Sequence, residues 1–324
     1  KQLVAYVGRE QFVAGLRSYF AKHAWGNTTL GDLLAELEAA SGRDLRSWSQ
    51  MWLETSGVNT LRLQVATDDR GAISSAVIEQ SVASGDDLLR PHSLRIGAYE
   101  LDGDNFVRTA SIDVDVDGAA TEVPELLGMA APAVLLVNDD DLAYGKIRFD
   151  ERSLASVLAR PRGFTDTLPH SLAIAGLWDM TRDGEMRASD YVAFALDVID
   201  GERDSTLLRS LLGQVATCLS HYLAPENRPL LRQHVLGRLR ELALAAPAGS
   251  DAQLQLLTAY AALLTPGDDP TLIQGLLDGT STLDGLAIDT DMRWTLVTAL
   301  AAIGAEDGDL VARELERDST SNGR

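Results

Sequence analysis

The residues that could do chemistry in this chain are first of all its five histidines: His23, His92, His170, His221 and His234. Their chemistry would be metal-dependent. A zinc peptidase helix needs two His at i and i+4, so that both rings face one ion, with a Glu beside them as base. Four residues after these histidines stand Asn27, Ile96, Ile174, Pro225 and Arg238. No such pair exists, and the histidines read as surface or packing residues. Asp113-Val114-Asp115-Val116-Asp117-Gly118 imitates the opening of a calcium loop, but the twelfth position is Pro124, with Glu122 and Glu125 missing it on either side. A strand with Ile112, Val114 and Val116 turned inward and the aspartates in water explains that run better. Asn138-Asp139-Asp140-Asp141 reads as a solvated turn. Gly145-Lys146 lacks the glycine spacing and the following Ser or Thr of a phosphate loop. Cys218 lies in an apolar helical run and reads as a buried structural thiol; as the single cysteine it can form no internal disulfide and no cysteine-based zinc cluster. No Gly-x-Ser-x-Gly elbow is present. From spacing alone the expectation is no catalytic, cofactor-binding or metal-binding residue.

Composition narrows the class. The chain has 324 residues, 45% of them hydrophobic and 23% charged, with a net charge of -20. Such acidity opposes binding to nucleic acid or to anionic lipid, and no apolar run is long enough to span a bilayer. The lone cysteine fits a reducing compartment. The chain opens on Lys1-Gln2-Leu3, inside a helical pattern, and reads as a piece of a longer protein.

Those residues must be positioned by elements of three kinds. Up to Gly57 the pattern is helical: Gln2 to Tyr6, Glu10 to His23 and Thr29 to Ala40 carry apolar residues at three- and four-residue steps. Thr28 or Thr29 is the expected cap of the third helix, and Asp44 caps a fourth with Trp48, Met51 and Trp52 on one face. From about Asn59 to Phe149 the period becomes two. Strands are expected at Leu61 to Val65, Ile73 to Gln80, Ser93 to Leu101, Phe106 to Thr109, Ser111 to Val116, Ala133 to Val137 and Ala143 to Phe149. Seven short strands separated by turn signals predict an antiparallel β-sandwich. From Ser153 onward helices return, about eight of them: Ser171 to Thr181, Ser189 to Ile199, Leu207 to Leu223, Pro229 to Ala245, Gln253 to Leu264, Thr271 to Leu277, Met292 to Ile303 and Asp307 to Arg317. Short linkers between them predict a superhelical stack of HEAT or armadillo kind. The fold class is therefore α+β and multidomain, divided as residues 1–58, 59–150 and 151–324.

Two of five tryptophans stand four apart on the last turns before the pattern changes from helix to strand. The run from Lys1 to Gly8, then Phe12, Gly15-Leu16, Tyr19-Phe20, His23-Ala24, Gly26-Asn27-Thr28-Thr29, Asp32-Leu33 and Trp48 to Leu61 resembles the aminopeptidase N family of zinc metallopeptidases, at the last helices of its thermolysin-like catalytic domain. Arg90-Pro91-His92, Gly97-Ala98-Tyr99 and Val137 to Leu154 resemble the family's sandwich. Leu177 to Asp183, Asp190-Tyr191, Asp289 to Trp294 and Glu314 to Asp318 resemble the helical C-terminal domain of actinobacterial members. The resemblance covers nearly the whole chain. It implies that Trp48 and Trp52 anchor the helices to the sandwich.

The resemblance stops short of the chemistry. The family's His-Glu-x-x-His helix, its downstream Glu and its Gly-x-Met-Glu-Asn strand do not occur here, and neither Tyr6 nor Tyr19 matches the family's catalytic Tyr. The resemblance thus implies a cytoplasmic parent enzyme with zinc held upstream and none in this chain. The partners implied are the N-terminal and catalytic domains of the same polypeptide and, for the parent, peptide substrates. This part would act as hinge and lid. The rival expectation is a non-enzymatic sandwich-plus-solenoid scaffold that grips a protein partner. A carbohydrate-binding sandwich would want exposed aromatics, and core packing accounts for Tyr99, Phe106, Tyr144 and Phe149. Arg293 and Trp294 are expected to pack in the core near the inner wall of the helical stack.

Overall fold

Positive φ at Gly8 and capping at Thr29 and Asp44 cut the first stretch into four helices. A computed structural model describes residues 1–82, 88–305 and 308–320. The helices are α1 (Gln2–Val7), α2 (Arg9–Lys22), α3 (Leu30–Ser41) and α4 (Leu45–Leu53). Thr29, not Thr28, caps α3: its hydroxyl accepts from the Asp32 N–H while the Asp32 carboxylate accepts from the Thr29 N–H, a reciprocal capping box. Asp44 accepts from the N–H groups of Arg46 and Ser47 at the start of α4. The apolar stripes of these helices meet in one cluster of Val7, Leu34, Leu37, Leu45 and Trp48.

The sandwich follows from alternation. Strands β1 (Asn59–Thr67), β2 (Ile73–Val82), β3 (His92–Asp102), β4 (Asn105–Val116), β5 (Ala120–Glu122), β6 (Val134–Val137) and β7 (Lys146–Arg148) form two sheets, ordered β5-β2-β1-β7 and β4-β3-β6. Leu61, Leu63, Ile73, Ile78, Leu94, Ile96 and Leu126 are buried between them. Three strand expectations change. Phe106 to Thr109 and Ser111 to Val116 are one strand, because the irregular register at Ala98/Tyr99 is a bulge that Thr109 absorbs within a continuous ladder. Ala120 to Glu122 is a short edge strand that carries too few residues to show a period. The antiparallel reading holds for every pairing but one: β7 runs parallel to β1, reached through the long connection that includes β3, β4 and β6.

Helices α5 (Glu151–Ala159) and α6 (Thr167–Arg182) complete a first compact unit, Lys1–Met186. The second unit, Arg187–Arg324, is helical throughout its described residues: α7 (Ala188–Ile199), α8 (Ser205–Thr217), α9 (Arg228–Ala245), α10 (Asp251–Ala262), α11 (Thr271–Asp278), α12 (Thr290–Ile303) and α13 (Leu310–Arg317). Within it α8 packs on α7 and α10, α10 on α9 and α12, and α12 on α11 and α13, an array in which each helix meets the next or next-but-one in the chain. The expected single helix from Leu207 to Leu223 widens into a π-helical turn at Cys218–Tyr222, closed by the Leu223 N–H on the Cys218 carbonyl, with Pro225 barring continuation. The last expected helix begins at Leu310; Asp307 lies outside the described residues. The fold class is α+β, with a short helical segment, a β-sandwich and an all-α array.

Candidate functional site

Aromatic rings, a buried cation and a buried histidine meet at the joint between α4 and the sandwich, inside the first unit. Helical spacing puts Trp48 and Trp52 on one face of α4, their rings 6.1 Å apart. Trp48 is 6% exposed and stacks on Tyr6 of α1 at 6.2 Å. Trp52 is half-buried and meets His92, the first residue of β3, edge-to-face at 5.2 Å. Gly57, at φ 100°, makes the turn that takes the chain from α4 into β1.

Arg90 closes the joint from the strand side. It is fully buried, with its guanidinium 5.3 Å from the Trp52 ring. Its Nε donates to the Met51 carbonyl at 3.0 Å, and its Nη2 donates to Thr55 Oγ1 and the Ser56 carbonyl, both at 2.8 Å. They lie where α4 ends and its last carbonyls lack helical partners; the Met51 carbonyl also accepts from the Thr55 hydroxyl. Asn59 ties the same loop down, donating to the Leu88 carbonyl at 2.8 Å and accepting from the Arg90 N–H. Spacing put Trp48 and Trp52 on one face, and the family resemblance implied the anchor. Arg90 was not, since nothing local distinguishes a buried Arg; the adjoining Pro91 is the one hint of a fixed backbone.

His92 shows what the joint does electrostatically. It is 1% exposed, and neither Nδ1 nor Nε2 finds a hydrogen-bond partner among the described residues. Burial, helped by the Arg90 charge, pushes its pKa from 6.5 down to about 4. The folded ring is neutral. As pH falls below 6.5 the unfolded chain takes up this proton first, so stability is undiminished above that pH, declines toward about 4 and is flat below. The loss is about 3 kcal/mol at ~1.4 kcal/mol per pH unit. His92→Leu, of similar volume and without a titrating proton, should match the parent near neutral pH and lack this decline. Urea titrations near pH 7 and near pH 4 check it; an equal acid loss in both proteins refutes the assignment.

Of the aromatics expected in the sandwich core, Tyr99, Phe106 and Phe149 are buried but Tyr144 is exposed, since it lies in the loop before β7 and not on a strand face. Val114 and Val116 are buried, while Asp113 and Asp115 face water and pair with Arg95 and Arg43. Asn138 and Asp139 correct the solvated-turn expectation. Asp139 is buried, accepting from Tyr99 Oη at 2.9 Å and from Arg108 at 2.9 Å. Asn138 folds its amide back onto Ala143, and only Asp140 and Asp141 reach solvent. Burial, with the Asp139 charge, raises the Tyr99 pKa. Cys218 is buried, its thiol pushed up to about 11 by burial, so a thiolate nucleophile is disfavoured. Arg293 and Trp294 are half-buried and polar rather than core: Arg293 binds Glu314 through two nitrogens at 2.6 and 2.7 Å and lines a 550 Å3 cleft, and Trp294 donates to Asp318. Among the described residues no group of three or more His, Cys, Asp and Glu is placed to hold a metal, and no helix is long and apolar enough to cross a membrane.

The described residues thus combine a helix-capped β-sandwich with an all-α array. Residues 134–324 match the model of the ERAP1-like C-terminal domain, and the chain belongs to that family. Among particular relatives, the Aminopeptidase N of Streptomyces lividans is 48% identical over an alignment that takes in 100% of this chain and 38% of that protein. An Aminopeptidase N of Lactococcus lactis is 40% identical over 63 residues, 19% of this chain and 7% of its own. Aminopeptidase M1 of Arabidopsis thaliana is 24% identical over 168 residues, 49% of this chain and 18% of its own. The chain thus spans under two fifths of the length of these relatives.

Proposed function

We propose that this chain is the C-terminal part of a cytoplasmic, zinc-dependent aminopeptidase that removes N-terminal residues from peptides. The observation that carries the reading is the 48% identity to the Streptomyces lividans Aminopeptidase N along the whole chain. Residues 1–58 would be the last helices of the catalytic domain, 59–150 the sandwich, and 151–324 the helical C-terminal domain. Phe20 and Trp25, large aromatics exposed on α2 and the turn after it, suit a surface covered by the rest of such a polypeptide.

Zinc would supply a water activated near neutral pH. The described residues do not fit a zinc site, so the ion and the catalytic groups belong upstream in this reading. What this chain contributes is support. The Trp–Arg joint fixes the sandwich to the catalytic helices, the sandwich acts as spacer and hinge, and the helical array acts as a lid that admits short peptides and gates release.

The isolated chain is expected to bind no stoichiometric zinc and to turn over no aminoacyl-coumarin substrate, and joining it to the upstream part should restore both. Metal analysis by mass spectrometry after dialysis and a fluorogenic assay test the two halves. One zinc per isolated chain with turnover that survives a contaminant control would overturn the reading. A parent polypeptide without His-Glu-x-x-His would favour the non-enzymatic scaffold instead.

A further inference from the structure

Helix α6 breaks a local rule at its C-terminal end. A helix C-terminus carries partial negative charge and favours cations. Yet Asp179, Asp183 and Glu185 gather there, with Arg182 the sole basic residue of the last turn. The backbone fixes where they stand. The Glu185 N–H donates to the Met180 carbonyl at 2.8 Å and the Gly184 N–H to the Thr181 carbonyl at 3.2 Å, a Schellman closure that needs the left-handed Gly184 at φ 77°.

The turn faces the β1/β7 edge of the sandwich. Lys146 binds both oxygens of Asp183, at 2.7 and 2.8 Å. Arg148, its side chain 1% exposed, binds Asp183 and reaches Glu185 at 2.8 Å. Arg62 also binds Glu185. Arg62 and Arg148 are direct partners across the β1–β7 pairing, where like charges repel, and Glu185 bridges them. Around this group stand Glu79, opposite Arg62 on β2, and the Asp179–Arg182 pair of α6 at 3.6 Å. Burial works against the charges of Asp183 and Glu185, but hydrogen bonds from the cations outweigh it and hold both carboxyls below their usual range. The acids are misplaced on the helix and the cations on the sheet, and each set is stable only with the other.

The position of this group in the chain gives it meaning. Glu185 lies one residue before Met186, where the first compact unit ends, and Arg187 opens the second. We propose that Arg62, Lys146 and Arg148 form an electrostatic clasp on Asp183 and Glu185 that pins the closing turn of α6 to the β1/β7 edge, so that the turn opens locally when the clasp is released. The inference does not depend on the enzymatic reading.

Limited trypsin digestion of the 324-residue chain tests it, because Arg182 and Arg187 flank the clasp. Proteolysis of a folded protein tracks the population of the locally open form. Asp183→Asn with Glu185→Gln keeps shape and removes both charges. Cleavage after Arg182 or Arg187, followed by mass spectrometry, should accelerate about tenfold, while cuts at Arg95 in β3 and Arg238 in α9 keep their rates. Glu185→Gln alone retains the Arg148–Asp183 pair and should accelerate cleavage about threefold. Unchanged cleavage at the flanking sites overturns the proposal. Equal acceleration at Arg95 also overturns it, because the carboxylates would then hold the whole sandwich rather than this turn.

Discussion

Trp48→Ala is expected to lower the stability of the first unit by about 3–5 kcal/mol, the range for truncating a large buried aromatic. Trp48 is the hub of the helical cluster, in contact with the core that Val7, Leu34, Leu37 and Leu45 build and stacked on Tyr6. The cavity left between three helices cannot collapse without moving α1 and α3 together. Trp52→Ala should cost less, since Trp52 is half-buried at the edge of that cluster, where it meets Trp48, His92 and Arg90. The order of the two variants is the informative result. Chemical denaturation of each, read at the transition of the 1–186 unit, checks it; a Trp52 variant as damaged as Trp48, or a Trp48 variant that unfolds like the parent, refutes this account of the packing.

Arg90→Met should destabilise the same unit by about 4 kcal/mol. Three charge-assisted hydrogen bonds of about 1.5–3 kcal/mol each disappear, offset in part because the buried cation no longer has to be desolvated. The Ser56 carbonyl loses its donor and the Met51 carbonyl keeps only the Thr55 hydroxyl. Arg90→Lys should recover little of the loss, because a single ammonium cannot reproduce a planar fork aimed at three acceptors in two directions. Denaturation midpoints of the two variants decide this. A lysine variant as stable as the parent would show that charge alone, and not the fork, closes the joint.

The sequence by itself determined the local terms of this protein. Periodicity placed the helices up to α4, most strands and the helical series, because an element that buries one face repeats its apolar residues every 3.6 or 2 positions. Caps at Thr29 and Asp44 and the Trp48/Trp52 spacing lie within one turn, so they were legible without a fold. What the sequence could not decide was set by residues far apart. Thr109 sits in a bulge because β3 and β4 share a ladder, and β7 lies parallel to β1 only once the connection between them has folded. Asp139 looks like its neighbours in an acidic run, yet it alone is buried on Tyr99 and Arg108, since solvation depends on what arrives from other strands. Arg90 and the Asp183–Glu185 clasp follow the same logic. A charge in a string of letters has no burial. Its desolvation and its partner, which decide whether it stabilises or destabilises, exist only when tertiary structure brings the opposing group within about 3 Å.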